Sequence, residues 1–159
     1  MFEVFGELTA EEINKTAEGL KNEGDINNLI VLAKENGIDE MYARLYIEDE
    51  LDQLCDVASA ALGKLAIEEA DLKPVEIIED WVAYIKGSCL DDENIAVAVR
   101  KKGKNLKGCI AELLKWSFKN AYNVDKDIIK AAGVSNATVK MGIPGIGTAK
   151  KLIKEYYLG

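Results

Sequence analysis

Apolar side chains recur every three or four residues along most of the chain, and this spacing constrains the fold more than any other feature. It is typical of amphipathic helices that bury one face. The first such stripe consists of Ala10, Ile13, Ala17 and Leu20. Thr9 and Glu12 before and within it match a capping box, which satisfies backbone N–H groups at the start of a helix. We therefore predict that the first helix begins just after Thr9.

Similar stripes with start and stop residues predict further helices after the first one. The predicted helices cover roughly residues 26–36, 41–46, 51–65, 74–85, 92–102, 106–117, 126–132 and 148–157, and residues 139–143 are predicted to be extended. Pro74 is expected at the first position of its helix, where a missing N–H costs little. Asp91, Asn105 and Asp125 are expected to cap the helices that follow them. The sequence thus predicts a compact, all-α protein of eight or nine helices.

The helical pattern is interrupted at residues 71–74, which end in a proline. This break divides the chain into an acidic helical region, residues 1–70, and a second helical region, residues 72–159, which contains both tryptophans. A chain of 159 residues is long enough for one domain or for two very small ones. We expect a single compact unit or two small helical subdomains.

The composition argues against common kinds of catalytic and metal sites. The chain has no histidine, which removes the commonest general base and metal ligand. Its 3 cysteines are odd in number and far apart, which disfavours a disulfide framework or a zinc site, and Cys109 lies in an apolar helical stripe. We therefore expect no enzyme activity, no metal and no cofactor, and we expect Cys109 to be buried. No run of 18 apolar residues and no signal-peptide pattern is present, so we expect a cytoplasmic protein.

The net charge of −8 conceals two oppositely charged parts of the chain. Residues 1–99 hold 24 acidic and 7 basic side chains, whereas residues 100–159 hold 13 basic and 4 acidic ones. Such a division indicates a surface for nucleic acid, a charged protein partner, or packing between the two parts.

Basic residues are densest directly after residue 99. The candidate binding residues are Arg100, Lys101, Lys102, Lys104 and Lys107, then Lys115 and Lys119 on the next helix, and Lys150 and Lys151 near the C-terminus. Lysines arranged in this way bind phosphates with release of counter-ions. The alternative is a solvated loop between two helices, with basic residues favoured at a helix C-terminus. Trp116, Phe118 and Tyr122 follow on the next helix, where their spacing scatters them around it. At least one of these aromatic side chains is expected to be exposed and could stack on bases, whereas core packing is expected for most of them.

An acidic strip provides the second candidate surface, formed by Glu48, Asp49, Glu50, Asp52 and Asp56. Carboxylates at this spacing can imitate a phosphate backbone and occupy a nucleic-acid channel. The alternative is an ordinary solvated acidic face.

A Gly/Pro-rich segment, residues 142–151, suggests two phosphate-binding motifs. A P-loop needs a lysine where Thr148 stands, so this motif is rejected. A helix-hairpin-helix module has glycines like those at positions 145 and 147, but Ala149 comes two residues too early for it. We interpret the segment as a turn that leads into a final helix with Leu152 and Ile153 facing inward.

Residues 76–133 resemble the PcfK-like family. The matching segments are residues 92–99 (DENIAVAV), 104–111 (KNLKGCIA), 114–115 (LK) and 124–130 (VDKDIIK). Members of this family are encoded on conjugative plasmids and integrative elements, and the N-terminal 70 residues resemble companions of such domains in gut Firmicutes. One branch inhibits the RNA-guided CRISPR effector nuclease. The resemblance implies an accessory protein of a mobile genetic element and supplies no catalytic residues.

Three hypotheses follow from these observations. The first is a non-enzymatic binding protein that uses its charged surfaces to contact a nucleic-acid-handling protein, with anti-CRISPR inhibition as its most specific form. The second is direct binding of DNA or RNA by the basic region, residues 100–154. The third is a structural role in which the acidic and basic halves pack together.

Overall fold

A computed structural model of the chain describes residues 2–134 and 138–159. Within these ranges the chain forms nine helices and one two-stranded sheet. The helices are α1 (Ala10–Asn22), α2 (Ile26–Glu35), α3 (Glu40–Ile47), α4 (Val57–Leu72), α5 (Ile77–Asp91), α6 (Glu93–Val99), α7 (Leu106–Lys119), α8 (Lys126–Ala131) and α9 (Ile146–Leu158); the strands are β1 (Tyr122–Asn123) and β2 (Lys140–Met141). This architecture confirms the predicted compact all-α fold with eight or nine helices.

Side-chain caps explain where most of the helices begin. Thr9 and Glu12 form the predicted capping box at the start of α1. Asparagine or aspartate side chains accept the first backbone N–H groups of six later helices, at Asp25, Asp39, Asp56, Asp92, Asn105 and Asp125. The cap of α6 is therefore Asp92, one residue later than predicted. Each of these caps satisfies a donor that the helix itself leaves unpaired.

The helix predicted over residues 51–65 begins later than expected. Leu54 and Cys55 are buried, but they lie in the loop before α4, which starts at Val57. The side chain of Asn14 explains this loop, because its amide accepts from Cys55 N at 3.1 Å and donates to Cys55 O at 2.8 Å. These two bonds replace the helical hydrogen bonds that Cys55 would otherwise need.

The prediction that Pro74 occupies the first turn of a helix is wrong. Helix α4 continues to Leu72, and Lys73 then adopts a left-handed conformation with φ of 50°. Residues 73–76 form an irregular connection, and α5 begins at Ile77. The left-handed residue ends α4 before the proline, so the proline lies in the connection.

Buried apolar side chains form two clusters that meet along α4. The first cluster joins α1, α2 and α3 to Ala60 at the start of α4. The second joins Ala61 and Leu65 of α4 to α5, α6, α7 and α9. Because neighbouring residues of α4 belong to different clusters, this helix connects the two cores. The division of the chain into residues 1–70 and 72–159 stays a prediction.

The described residues between α7 and α9, residues 120–134 and 138–145, form an extension with little burial. Strands β1 and β2 are antiparallel, with Tyr122 opposite Met141, and the segment between them includes α8, which has no buried residue. The predicted extended segment is thus a strand of two residues. The last helix begins at Ile146, two residues earlier than predicted, and Ile153 is buried while Leu152 is partly buried.

Candidate charged surfaces and apolar groove

Arg100 was predicted as a surface residue for binding, and this is wrong, because only 1% of its surface is exposed. It lies at the C-terminal end of α6 and points towards the N-terminal helices. Its guanidinium donates to the backbone oxygens of Leu8 and Ala60 and to Asn36 Oδ1, the last at 2.7 Å. Burial lowers the pKa of Arg100, although neighbouring carboxylates oppose the shift. Arg100 therefore connects internal elements and is inaccessible to an outside ligand.

A second buried charge, Lys64 on α4, lies close to this region and was not predicted from the sequence. Its Nζ is hydrogen bonded to Glu7 and to Lys104 O and lies 4.0 Å from Glu68. Burial raises the pKa of Glu68, whose carboxylate also accepts from Leu106 N at 3.0 Å. The signal available in the sequence was a lysine and a glutamate four residues apart on the face of α4 that also carries Ala61 and Leu65.

The rest of the dense basic cluster does not form one continuous surface. Lys101 and Lys102 are exposed and form no ion pair with any residue that the structure describes. Lys104 folds back onto α9, where its Nζ lies 4.7 Å from the ring centre of Tyr156. Lys107 pairs with Asp71 at 3.0 Å.

The other predicted lysines are distributed over α7 and α9. Lys115 pairs with Glu112, and Lys151 lies 3.8 Å from Glu155. Lys150 lies over the ring of Tyr84 at 5.1 Å, and Lys119 is exposed. Three exposed lysines of the extension were not predicted as site residues, namely Lys126, Lys130 and Lys140.

The acidic strip lies in the loop between α3 and α4. Glu48, Glu50 and Asp52 are exposed there. Asp49, with φ of 63°, pairs with Lys21 at 2.6 Å and keeps 85% of its side chain exposed. Asp56 has a structural role that was not predicted, since its carboxylate caps α4 through Ser59 N at 2.6 Å.

A wide cleft of about 960 Å³ continues the acidic strip across the surface. Its walls come from α1, the loop before α4, and the region where α5 meets α6. The carboxylates along it belong to Glu11, Glu18, Asp52, Asp56 and Glu93. Lys15 is the basic residue in this lining. The strip and the cleft together form one acidic surface, which we call the acidic face.

A groove of about 390 Å³ with an almost entirely apolar lining lies between α5 and α7. Trp81 and Ile110 contribute to its inner part, and Leu114, Phe118 and Ile143 contribute exposed apolar side chains. The sequence predicts that Ile77, Ile78 and Trp81 of α5 belong to the core and that at least one aromatic side chain near Phe118 is exposed. It did not predict that the two helices leave a groove between them.

The three thiols are buried, as was predicted for Cys109. Burial raises the pKa of Cys55 and Cys89 to about 11 and that of Cys109 to about 12. In the described part of the chain no group of three or more potential metal-ligating side chains occurs. None of the helices described here has the length and apolar character needed to cross a bilayer.

No known protein family, curated protein or solved structure matches this chain. The resemblance to the PcfK-like family therefore stays a prediction.

Proposed function

We propose that this chain is a non-enzymatic binding protein of a mobile genetic element and that its acidic face contacts a nucleic-acid-handling protein. The most specific form of the proposal is inhibition of an RNA-guided CRISPR effector nuclease. The acidic face supports the binding role, and the resemblance of residues 76–133 to the PcfK-like family indicates the class of partner.

The observation that carries the proposal is the exposure of the acidic strip. Glu48, Glu50 and Asp52 face solvent and form no ion pair with the residues described in the structure. Carboxylates held in this way keep their charge available to a partner and offer it the oxygen ligands that arginine and lysine bind in phosphates. A cationic nucleic-acid channel is a surface of complementary charge.

The hypothesis of a structural role, in which the acidic and basic halves pack together, receives less support from ion pairing. Lys107 and Asp71 form the one ion pair, in the described ranges, between an exposed lysine of residues 100–159 and a carboxylate of residues 1–99. An exposed pair of this kind contributes little to stability. The internal contacts of Arg100 go to neutral oxygen atoms of the N-terminal region.

The test is the affinity of the purified chain for a guide-RNA-loaded effector nuclease, measured together with inhibition of DNA cleavage. The variant Glu48→Gln/Glu50→Gln/Asp52→Asn is expected to bind about tenfold more weakly, because it removes three complementary charges. A control with the same change in net charge replaces Glu23, Glu79 and Asp127, which are exposed outside the lining of the acidic face, with their amides.

Binding of the unmodified chain should also weaken between 50 mM and 300 mM salt, because exposed charges are screened over about 10 Å at 0.1 M. Equal affinities of the strip variant and the control would rule out the acidic strip as the contact surface. Absence of binding at low salt would rule out the nuclease as the partner.

Direct nucleic-acid binding is the second candidate, and exposed aromatic residues favour it. Phe118 is 81% exposed and Tyr122 is 56% exposed, and Lys119 lies between them in sequence. Exposed rings beside lysines are typical of single-strand binding surfaces. A mobility shift with single-stranded and duplex DNA at low salt tests this function. Tyr122→Ala and Lys119→Glu should each reduce any shift, whereas no shift at all would eliminate this candidate.

A further inference from the structure

The apolar groove between α5 and α7 leaves large hydrophobic side chains exposed. Leu114 is 55% exposed, Phe118 is 81% exposed and Ile143 is 55% exposed, and none of the helices in the described ranges covers them. Contiguous exposed apolar surface of this kind marks an interaction site in most water-soluble domains. On α7 the residues Ile110, Leu114 and Phe118 follow one another at intervals of four and therefore form one stripe.

The two helices that border the groove carry opposite charges. The start of α5 has three exposed carboxylates, those of Glu76, Glu79 and Asp80. Asp80 follows the groove residue Ile77 by three positions, so the two are neighbours on the helix surface. On α7 the corresponding neighbour of Phe118 is Lys115, whose side chain is 72% exposed and pairs with Glu112 of the same helix. Lys119, one turn further on, is also exposed. One border of the groove is thus acidic, and the other carries a net positive charge from Lys115 and Lys119 against Glu112.

We infer that the groove is occupied by the same groove of a second copy of this chain, in a twofold-symmetric dimer. When two identical grooves face each other about a twofold axis that runs along the groove, the α5 border of one copy lies opposite the α7 border of the other. Asp80 of each copy then faces Lys115 of the other copy. An axis across the groove would instead place like charges together, which is unfavourable. The charge pattern thus selects one of the two symmetric arrangements.

Phe118 supplies the apolar anchor of this dimer. It projects from the border of the groove, and symmetry brings it over the groove of the opposite copy, towards Trp81. Aromatic side chains that enter apolar pockets near the centre of an interface carry much of the binding energy. Because a twofold interface is made of the same patch twice, each Phe118 has an equivalent pocket to enter.

The first experiment measures the molar mass in solution at several protein concentrations and low salt. We expect the mass to approach twice the 17.4 kDa of a single chain as concentration rises. Leu114→Glu should return the mass to that of the single chain without unfolding it, because this side chain is more than half exposed. Val97→Glu is the matched control, since Val97 is an exposed apolar residue on α6, and this variant should dimerise normally.

The second experiment exchanges the two charges that the symmetric arrangement brings together. Asp80→Lys and Lys115→Glu should each weaken dimerisation about tenfold, because each variant creates two repulsive contacts. The double variant Asp80→Lys/Lys115→Glu should restore dimerisation, because the opposite charges again face each other.

A single-chain mass at every concentration would overturn the inference, as would normal dimerisation of Leu114→Glu. Failure of the double charge exchange to restore the dimer would overturn the proposed axis. A monomeric chain that loses binding to a nuclease when Leu114 is replaced would assign the groove to that partner instead. These results are separate from the test of the acidic strip, which uses Glu48, Glu50 and Asp52.

Discussion

The guanidinium of Arg100 donates a hydrogen bond of 2.7 Å to the side-chain oxygen of Asn36, 64 residues earlier in the chain. Both residues are buried, and each stands at the C-terminal end of a helix, α6 and α2 respectively. Asn36 in turn donates to Leu32 O at 2.9 Å, so its amide oxygen accepts one hydrogen bond and its amide nitrogen donates another. Through this contact the end of α6 in one apolar cluster is joined to the end of α2 in the other.

Replacement of Arg100 by methionine is expected to lower the free energy of unfolding by about 3 kcal/mol, because it leaves the backbone oxygen of Leu8 and the side-chain oxygen of Asn36 without the guanidinium donor. Urea unfolding at pH 7 measures the change. Lys101→Met is the control on the adjacent, exposed residue and should change stability by less than about 0.5 kcal/mol. Combining Arg100→Met with Asn36→Ala should show a coupling of about 1 kcal/mol, and purely additive effects would contradict the contact.

Gly63 of α4 lies against the end of α2, and this close approach leads to a second prediction. A Cβ atom at Gly63 would overlap the backbone oxygen of Asn36. Gly37, with φ of 70°, ends α2 and touches the same part of α4. Gly63→Ala should therefore destabilise the protein by about 2 kcal/mol through overpacking.

The matched control for Gly63 is Gly19, which lies inside α1 and has open space where a Cβ atom would be. Gly19→Ala should raise stability by about 0.5–1 kcal/mol, because alanine loses less backbone entropy in a helix. Thermal unfolding followed by circular dichroism distinguishes the two variants. Equal effects at both positions would contradict the close packing of α2 on α4.

The helices were predictable from the sequence because their signals are local. The capping box at Thr9 and the apolar stripe of α7 depend only on residues within one or two turns. The start of α4 was misplaced because it depends on Asn14, which lies 41 residues away from Cys55 and holds the loop before the helix. Long-range contacts of this kind leave no periodic signal.

The difference between local signals and long-range contacts also explains which parts of the candidate site were predicted from the sequence. The basic sequence after residue 99 predicts lysines at a surface, but it does not reveal that Arg100 binds backbone and side-chain oxygens of the N-terminal region. The exposure of the acidic strip follows from composition, because isolated carboxylates remain solvated. The apolar groove depends on the spacing between α5 and α7, which only the tertiary arrangement defines.

The third prediction concerns pH and uses Glu68, whose pKa is raised by burial. Because the folded protein binds this proton more tightly than the unfolded chain, Glu68 contributes stability that is complete below its unfolded pKa of 4.5 and is lost as pH rises through its folded pKa. Glu68→Gln resembles the protonated form and removes this dependence.

The free energy of unfolding of Glu68→Gln, relative to that of the unmodified chain, should therefore be higher at pH 7 than at pH 4. Urea unfolding at the two pH values measures it. Glu69→Gln, on the next and more exposed position of α4, provides the control and retains the pH dependence due to Glu68. A pH-independent difference for Glu68→Gln would show that the carboxyl group has the same pKa in both states.

The last prediction concerns the three thiols, which are all buried and have pKa values raised to about 11 or 12. The thiolate is the reactive form, so both the raised pKa and the lack of access slow alkylation of the folded protein. At pH 8 we expect no labelling by iodoacetamide within minutes under native conditions and labelling of all three thiols in guanidinium chloride, as counted by mass spectrometry. Cys55 provides the sharpest comparison, because its loop depends on two backbone hydrogen bonds with the Asn14 side chain, one donated and one accepted by the amide. Asn14→Ala should therefore accelerate labelling of Cys55 while leaving Cys89 and Cys109 protected, and equal acceleration at all three thiols would indicate global unfolding instead of local opening of this loop.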